Sequence, residues 1–243
     1  MPERVLFVPS WAMSPRSAEQ IPGVRQLLDD LRGVGDVEVF SLPWVKGNDA
    51  DCSWEAQIEG LAAAISNELH LVVMGTCVAA ALLAASGPKQ PRSFTAAGMV
   101  TPPATLHALG QSRLADIFIS AWEGGSSYQY TRLVMEGAPE ELWDRYARLM
   151  DSDIDWPRFL AEIESFRAAN LLQQKPDLRS PALYLDSPLR VAGYAEQRDA
   201  FLALVPHAEA DELELWPGHL HEKESGRDLS QKAIAFIQRH ATN

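Results

Sequence analysis

Apolar residues along this chain occur in two patterns. Short continuous runs rich in Val and Leu are typical of buried strands, and longer segments with apolar residues at helical spacing are typical of amphipathic helices. The predicted strands span 5–8, 37–42, 69–74, 93–100, 182–185 and 213–216. The predicted helices span 18–32, 53–65, 78–85, 194–205 and 230–239. This alternation predicts a three-layer α/β/α sandwich with a mostly parallel six-stranded sheet.

The alternation of strands and helices stops between residues 104 and 179. This stretch is rich in aromatic residues, and its apolar spacing predicts helices over 138–150 and 156–172. We therefore expect a core formed by 1–103 and 180–243. Residues 104–179 are expected to form a helical cap over the carboxyl end of the sheet.

A strand-to-helix turn at Cys77 is the centre of this organisation. A short apolar run ends at Gly75-Thr76-Cys77, and a segment of Ala and Leu with high helix propensity follows at once. The sequence Gly75-Thr76-Cys77-Val78-Ala79 is a variant of the nucleophile elbow pattern Gly-x-Ser-x-Gly. We expect a strained backbone at Cys77, a side chain facing solvent or a pocket, and a thiolate favoured by the helix N-terminus. The alternative is that Cys77 is a small buried hydrophobe.

Two more candidate groups follow predicted strands. Ligand sites in parallel sheets lie at the carboxyl ends of the strands, and Asp186 and the turn Pro217-Gly218-His219 both occupy such ends. Their order along the chain is nucleophile, acid, base. Asp186 is equally well explained as a strand-end residue bonded to the local backbone. His221 is the alternative base, or else a solvated loop residue.

Composition excludes several classes of function. The 33 acidic and 21 basic residues give a net charge of −12, which disfavours nucleic acid and anionic membrane surfaces as partners. The two cysteines have neither disulfide-framework nor zinc spacing, so no metal or cofactor is predicted. The apolar run at the N-terminus is too short for a signal-peptide core, no apolar stretch has the length of a membrane span, and a cytoplasmic protein is the expectation.

The chain resembles the α/β-hydrolase superfamily, in the branch that carries a helical cap. Three segments carry the resemblance: the elbow at Cys77, the Gly218-His219 loop, and Pro9-Ser10-Trp11 after the first strand. The resemblance implies a catalytic set of Cys77, His219 and Asp186. It also implies that the backbone N–H groups of Trp11 and Val78 form an oxyanion hole.

The acid is the member that departs from the family pattern. In the family it usually follows the strand by several residues, near Leu189 or Arg190, and neither of these is acidic. Asp186 is the nearest carboxylate. A cysteine nucleophile depends less on this third member than a serine does, because a thiol is far more acidic than a hydroxyl.

The function implied is acyl transfer to, or hydrolysis of, an ester, thioester or lactone. We expect a small apolar metabolite as substrate, free or bound to a carrier. Candidate substrate contacts are Ser10, Met13, His107, Trp122 and Trp143. The alternatives are a lyase or cyclase in which His219 is a general base and Cys77 a pocket wall, and an inactive small-molecule binding module. The sequence does not predict an oligomeric state.

Overall fold

The computed structural model describes residues 2–10, 13–75, 77–98, 127, 139–168, 175–186, 197–214 and 222–241, with the backbone alone over 163–168. Within these ranges no helix is both long enough and apolar enough to cross a bilayer.

Six parallel strands form one sheet, as the sequence predicts. The strands are β1 (Glu3–Val8), β2 (Gly35–Val39), β3 (Leu69–Gly75), β4 (Ser93–Gly98), β5 (Ala182–Asp186) and β6 (Glu209–Glu212). Their order is β2-β1-β3-β4-β5-β6, and every neighbouring pair is parallel. The expected position of β1 between β2 and β3 is confirmed. Val5 pairs with Val37 on one side and with His70 on the other.

Helices cover both faces of the sheet. They are α1 (Pro15–Ala18), α2 (Pro22–Arg32), α3 (Trp54–Ala64), α4 (Val78–Ala85), α5 (Glu140–Asp153), α6 (Trp156–Ala168), α7 (Gln197–Leu204) and α8 (Lys223–Arg239). Alternate residues of a strand point to opposite faces. Leu6 accordingly packs in the cluster that includes α3, α4 and α7, whereas Phe7 packs in the cluster that includes α2 and α8. The three-layer α/β/α prediction is therefore confirmed.

The last strand begins earlier than the sequence predicts. The apolar run at 213–216 indicated a strand, but β6 is Glu209–Glu212 and every residue in it is exposed. Leu213 is buried just beyond the strand end, so its apolar character reflects core packing. The strand forms the sheet edge, where charged residues discourage pairing with another chain.

Two of the predicted cap helices are present. Helix α5 matches the prediction at 138–150, and α6 matches the described part of the prediction at 156–172. Both bond to the loop after β2, at the carboxyl end of the sheet. Val45, in the loop after β2, forms an antiparallel bridge with Ile154 between the two helices. The cap boundaries at 104 and 179 stay predictions, because the segments 99–126, 128–138 and 169–174 lie outside the described residues.

Candidate active site

Cys77 lies at the turn between the central strand β3 and helix α4. The strand ends at Gly75, the helix begins at Val78, and Cys77 is the N-cap residue. The expected strained backbone at Cys77 is wrong, because its φ of −73° and ψ of −8° are ordinary right-handed helical values. The positive φ of +62° belongs to Gly75, and glycine adopts that conformation without steric cost.

Backbone segments approach one another very closely at this turn. A Cβ atom on Gly75 would lie 1.9 Å from Ser10 Oγ, so the hydroxyl that follows β1 sits directly against the elbow. A Cβ atom on Gly98, at the end of β4, would lie 2.2 Å from the Gly75 carbonyl oxygen. Only glycine fits at either position, which explains why three strand ends can meet here.

The thiol of Cys77 is not in solvent. The residue is 1% exposed and belongs to the apolar cluster that also contains Trp54 and Ala80. Small residues along the start of α4 permit this close packing. The first N–H groups of a helix, which include that of Val78, have no acceptor within the helix and carry a partial positive charge. A developing negative charge beside Cys77 would therefore be stabilised.

Asp186 is the last residue of β5 and is 7% exposed. Its backbone carbonyl accepts a hydrogen bond from the Leu213 N–H at 2.9 Å. One strand, β4, separates β5 from β3, so Asp186 lies about 10 Å along the sheet edge from the elbow. The same carboxyl edge thus carries the candidate acid and the candidate nucleophile.

The remaining predicted site residues divide into two groups. Met13 is buried in the cluster of α2 and α8, and Trp143 packs against the small cluster formed by Tyr146 and Leu149. The other predicted residues lie outside the described residues: Trp11, His107, Trp122, His219 and the alternative base His221.

Tyr184 is a residue at this edge that the sequence reasoning missed. Its hydroxyl donates a 2.7 Å hydrogen bond to the Gly98 carbonyl and so ties β5 to the end of β4. A tyrosine between two leucines of a buried strand is the signal that would have found it, since a buried hydroxyl requires a partner.

The second thiol, Cys52, has a different environment. It is 8% exposed, and burial raises the pKa of its thiol although the guanidinium of Arg158 opposes this. A raised pKa makes a cysteine a poor nucleophile. Neither cysteine forms a disulfide. No cluster of metal-ligating side chains occurs within the described part of the chain.

No protein-family model and no curated protein matches this sequence. Solved structures do match it over nearly its full length. A hydrolase from Oleispira antarctica aligns with a TM-score of 0.75 at 13% identity, over 98% of this chain and 92% of its own. A carboxylesterase structure from the Thaumarchaeon Nitrososphaera gargenis has the same TM-score of 0.75 at 10% identity and the same coverage, 98% and 92%.

A third similar structure is described as an α/β-hydrolase. This enzyme, MGS-M2 from a Medee basin deep-sea metagenome, aligns with a TM-score of 0.73 at 11% identity, over 98% of this chain and 90% of its own. At sequence identity this low, structural similarity establishes the architecture alone. The parallel sheet, its strand order and the elbow at the end of β3 agree with that architecture. The chain therefore has the α/β-hydrolase fold.

Proposed function

We propose that this protein is a hydrolase or acyltransferase that uses Cys77 as its nucleophile. The observation that carries the proposal is the position of Cys77, at the N-cap of α4 directly after the central strand of an α/β-hydrolase fold. The similar structures from Oleispira antarctica and Nitrososphaera gargenis, named a hydrolase and a carboxylesterase, support the same class of reaction.

The proposed reaction proceeds through a thioester. His219 takes the proton from Cys77, and the sulfur attacks the substrate carbonyl carbon. The amides of Val78 and Trp11 stabilise the oxyanion, with about 3 kcal/mol per donor. The tetrahedral species collapses, and the leaving alcohol or thiol takes the proton from His219. Water, or an acceptor nucleophile, then gives a proton to His219 and attacks the thioester. The second tetrahedral species collapses, the acyl product leaves, and His219 returns its proton to the Cys77 sulfur.

Asp186 is the proposed partner of His219, because it is the buried carboxylate at the same edge of the sheet. The proposed substrate is a small apolar ester, thioester or lactone, free or carried by another protein. Ser10 is the substrate-contacting candidate with the strongest support, since its hydroxyl lies against the elbow.

One observation favours a second candidate function. Cys77 is 1% exposed, packs in an apolar cluster and has an ordinary helical backbone, as expected for a residue that forms no bond to a substrate. In that case His219 would act as a general base in a lyase or cyclase reaction, and Cys77 would form no bond to the substrate.

The two candidate functions predict different effects of removing the Cys77 thiol. We expect Cys77→Ala to fold normally and to lose hydrolysis of p-nitrophenyl acetate by orders of magnitude, while Cys52→Ala, the matched control, retains it. Cys77→Ser should be a poor substitute, because a hydroxyl needs a fully assembled base and acid. Equal turnover by Cys77→Ala and wild type would exclude covalent catalysis and favour the general-base reaction.

A further inference from the structure

The junction between α5 and α6 is bound to two loops of the core. The Lys46 N–H donates to the Asp153 carbonyl at 2.8 Å, and the Asp155 N–H donates to the Trp44 carbonyl at 2.9 Å. Arg158 adds a hydrogen bond from Nη2 to the Pro43 carbonyl at 2.9 Å. The loop after β2 is thereby fixed through its own backbone groups, two of which pair with the backbone of the junction and one with the side chain of Arg158.

The loop after β1 is fixed differently, through the carboxylate of Asp153. Ser14 Oγ donates to Asp153 Oδ2 at 2.6 Å, and Arg16 Nη1 donates to Oδ1 at 3.0 Å. Ser152 Oγ also donates to Oδ1, at 2.8 Å. Ser14 in turn caps α1, since its Oγ accepts from the Ser17 N–H at 2.9 Å. Asp153 is 8% exposed, so a single buried carboxylate holds this loop from the opposite segment.

The location of this carboxylate is unfavourable for its own helix. Asp153 is the last residue of α5, where the helix dipole disfavours negative charge. Burial of a carboxylate also carries a desolvation cost. Neither helix stability nor core packing therefore accounts for an aspartate here. Its donors Ser14 and Arg16 lie 139 and 137 residues away in sequence, so what it stabilises is the docking of the two segments.

We propose that Asp153 is a positioning residue for the elbow, acting through Ser14. Two described residues of the loop after β1 have fixed positions: Ser10 abuts Gly75, and Ser14 is bonded to Asp153. In the proposed reaction, to which this inference is tied, Trp11, between those two residues in the sequence, supplies an oxyanion amide. The carboxylate of Asp153 bonds Ser14, Arg16 and Ser152, and its proposed effect on the reaction passes through Ser14. Asp153 sets where the loop after β1 lies relative to Cys77.

The test compares two single variants and their combination. Asp153→Asn keeps the side-chain shape and replaces one accepting oxygen by a donor, and Ser14→Ala removes the hydroxyl alone. With p-nitrophenyl acetate we expect either change to lower kcat by about 10- to 100-fold, since a displacement of about 1 Å costs about 10²-fold in rate. KM should stay within about threefold of the wild-type value, and the double variant should cost no more than the larger single effect.

Ser93→Ala is the matched control for lost stability. Ser93 is fully buried and hydrogen-bonded, but it lies at the opposite, amino end of the sheet. This variant should lower the melting temperature and leave kcat unchanged. If Asp153→Asn does not fold, the positioning role is tested by comparing the kcat of Ser14→Ala with the kcat of Ser93→Ala.

Three results would overturn the proposal. An unchanged kcat in Asp153→Asn would show that Asp153 has no positioning role. If Asp153→Asn does not fold, an unchanged kcat in Ser14→Ala would show the same. Additive losses in the double variant would show that the two residues do not act through their contact. Ester turnover that is unaffected by Cys77→Ala would instead remove the proposed function, and the positioning role with it, before any Asp153 variant is measured.

Discussion

At the scale of single residues, the proposed chemistry depends on two features of the elbow that belong to different residues. Gly75 takes the unusual backbone conformation, with φ of +62°, and Cys77 is the N-cap residue of α4. Because the strain that usually falls on a nucleophile is absent from Cys77, its reactivity must come from the helix N-terminus and from a base.

The base is the first residue-scale prediction. His219→Ala should abolish ester turnover, because no other group is expected to take the thiol proton, and His221→Ala should cost less than about tenfold. Steady-state rates with p-nitrophenyl acetate, alongside melting temperatures for both variants, provide the measurement. The reverse order of effects would assign the base to His221.

The position of Cys77 was predictable, and its surroundings were not. The change from Val-rich to Ala-rich sequence around Gly75 locates the turn, because strand and helix propensities differ there. Burial of the thiol depends on the apolar cluster that Cys77 shares with Trp54 and with residues of several strands and helices. Those contacts join distant parts of the chain, so no local pattern contains them.

At the scale of elements, helix packing depends on close backbone contact between α2 and α8. A Cβ atom on Gly226 would lie 1.8 Å from the Gly23 carbonyl oxygen, which leaves no room for a methyl group. On α3, by contrast, a Cβ atom on Gly60 would meet only Phe40 Cζ, at 3.8 Å. The two helical glycines therefore serve different purposes.

This contrast gives a paired stability prediction. Gly226→Ala should destabilise the protein by about 1–3 kcal/mol or more, because it forces the helices apart. Gly60→Ala should stabilise it by about 0.5–1 kcal/mol through higher helix propensity and a less flexible unfolded chain. Urea unfolding of both variants measures the two values. A stabilised Gly226→Ala would contradict the close packing of α2 on α8.

The sequence predicted the positions of the buried strands, but it did not predict the position of the edge strand β6. The apolar runs of β1, β3 and β5 report burial on both faces, so their positions could be predicted. The edge strand β6 is Glu-Ala-Asp-Glu and has no such signal. It is a strand only because its backbone pairs with β5, and that pairing is a tertiary contact.

At the scale of the whole molecule, the two ends of the sheet have different roles. The candidate chemistry lies at the carboxyl end, whereas a partly buried polar cluster closes the amino end. There His70 is fully buried, with Nδ1 2.7 Å from Ser93 Oγ and Nε2 3.2 Å from Glu3 Oε2. Arg92 also pairs with Glu3, at 2.5 Å.

This amino-end cluster predicts acid sensitivity of folding. Burial, more than the charge of Arg92, lowers the pKa of His70 from its usual value of 6.5, although Glu3 opposes the shift. The unfolded chain then binds a proton that the folded chain does not. This contribution to stability is complete above pH 6.5 and is lost as the pH falls below that value, with a slope of up to about 1.4 kcal/mol per pH unit.

Replacement of His70 by a residue that does not titrate isolates this contribution. His70→Gln should flatten the dependence of unfolding free energy on pH below about pH 6.5, relative to the wild-type protein. Urea titrations at half-unit pH intervals measure the slopes. An unchanged slope in His70→Gln would mean that His70 is not the group responsible.

The central claim is that Cys77 forms a bond to the acyl group. The most direct test is the intact mass of the protein quenched during turnover of p-nitrophenyl acetate, followed by peptide mapping. The account predicts a mass increase of one acetyl group on the peptide that contains Cys77, present in Cys52→Ala and absent in Cys77→Ala. Covalent catalysis by Cys77 would be contradicted if Cys77 stayed unmodified during turnover and Cys77→Ala turned the ester over as fast as the wild-type protein.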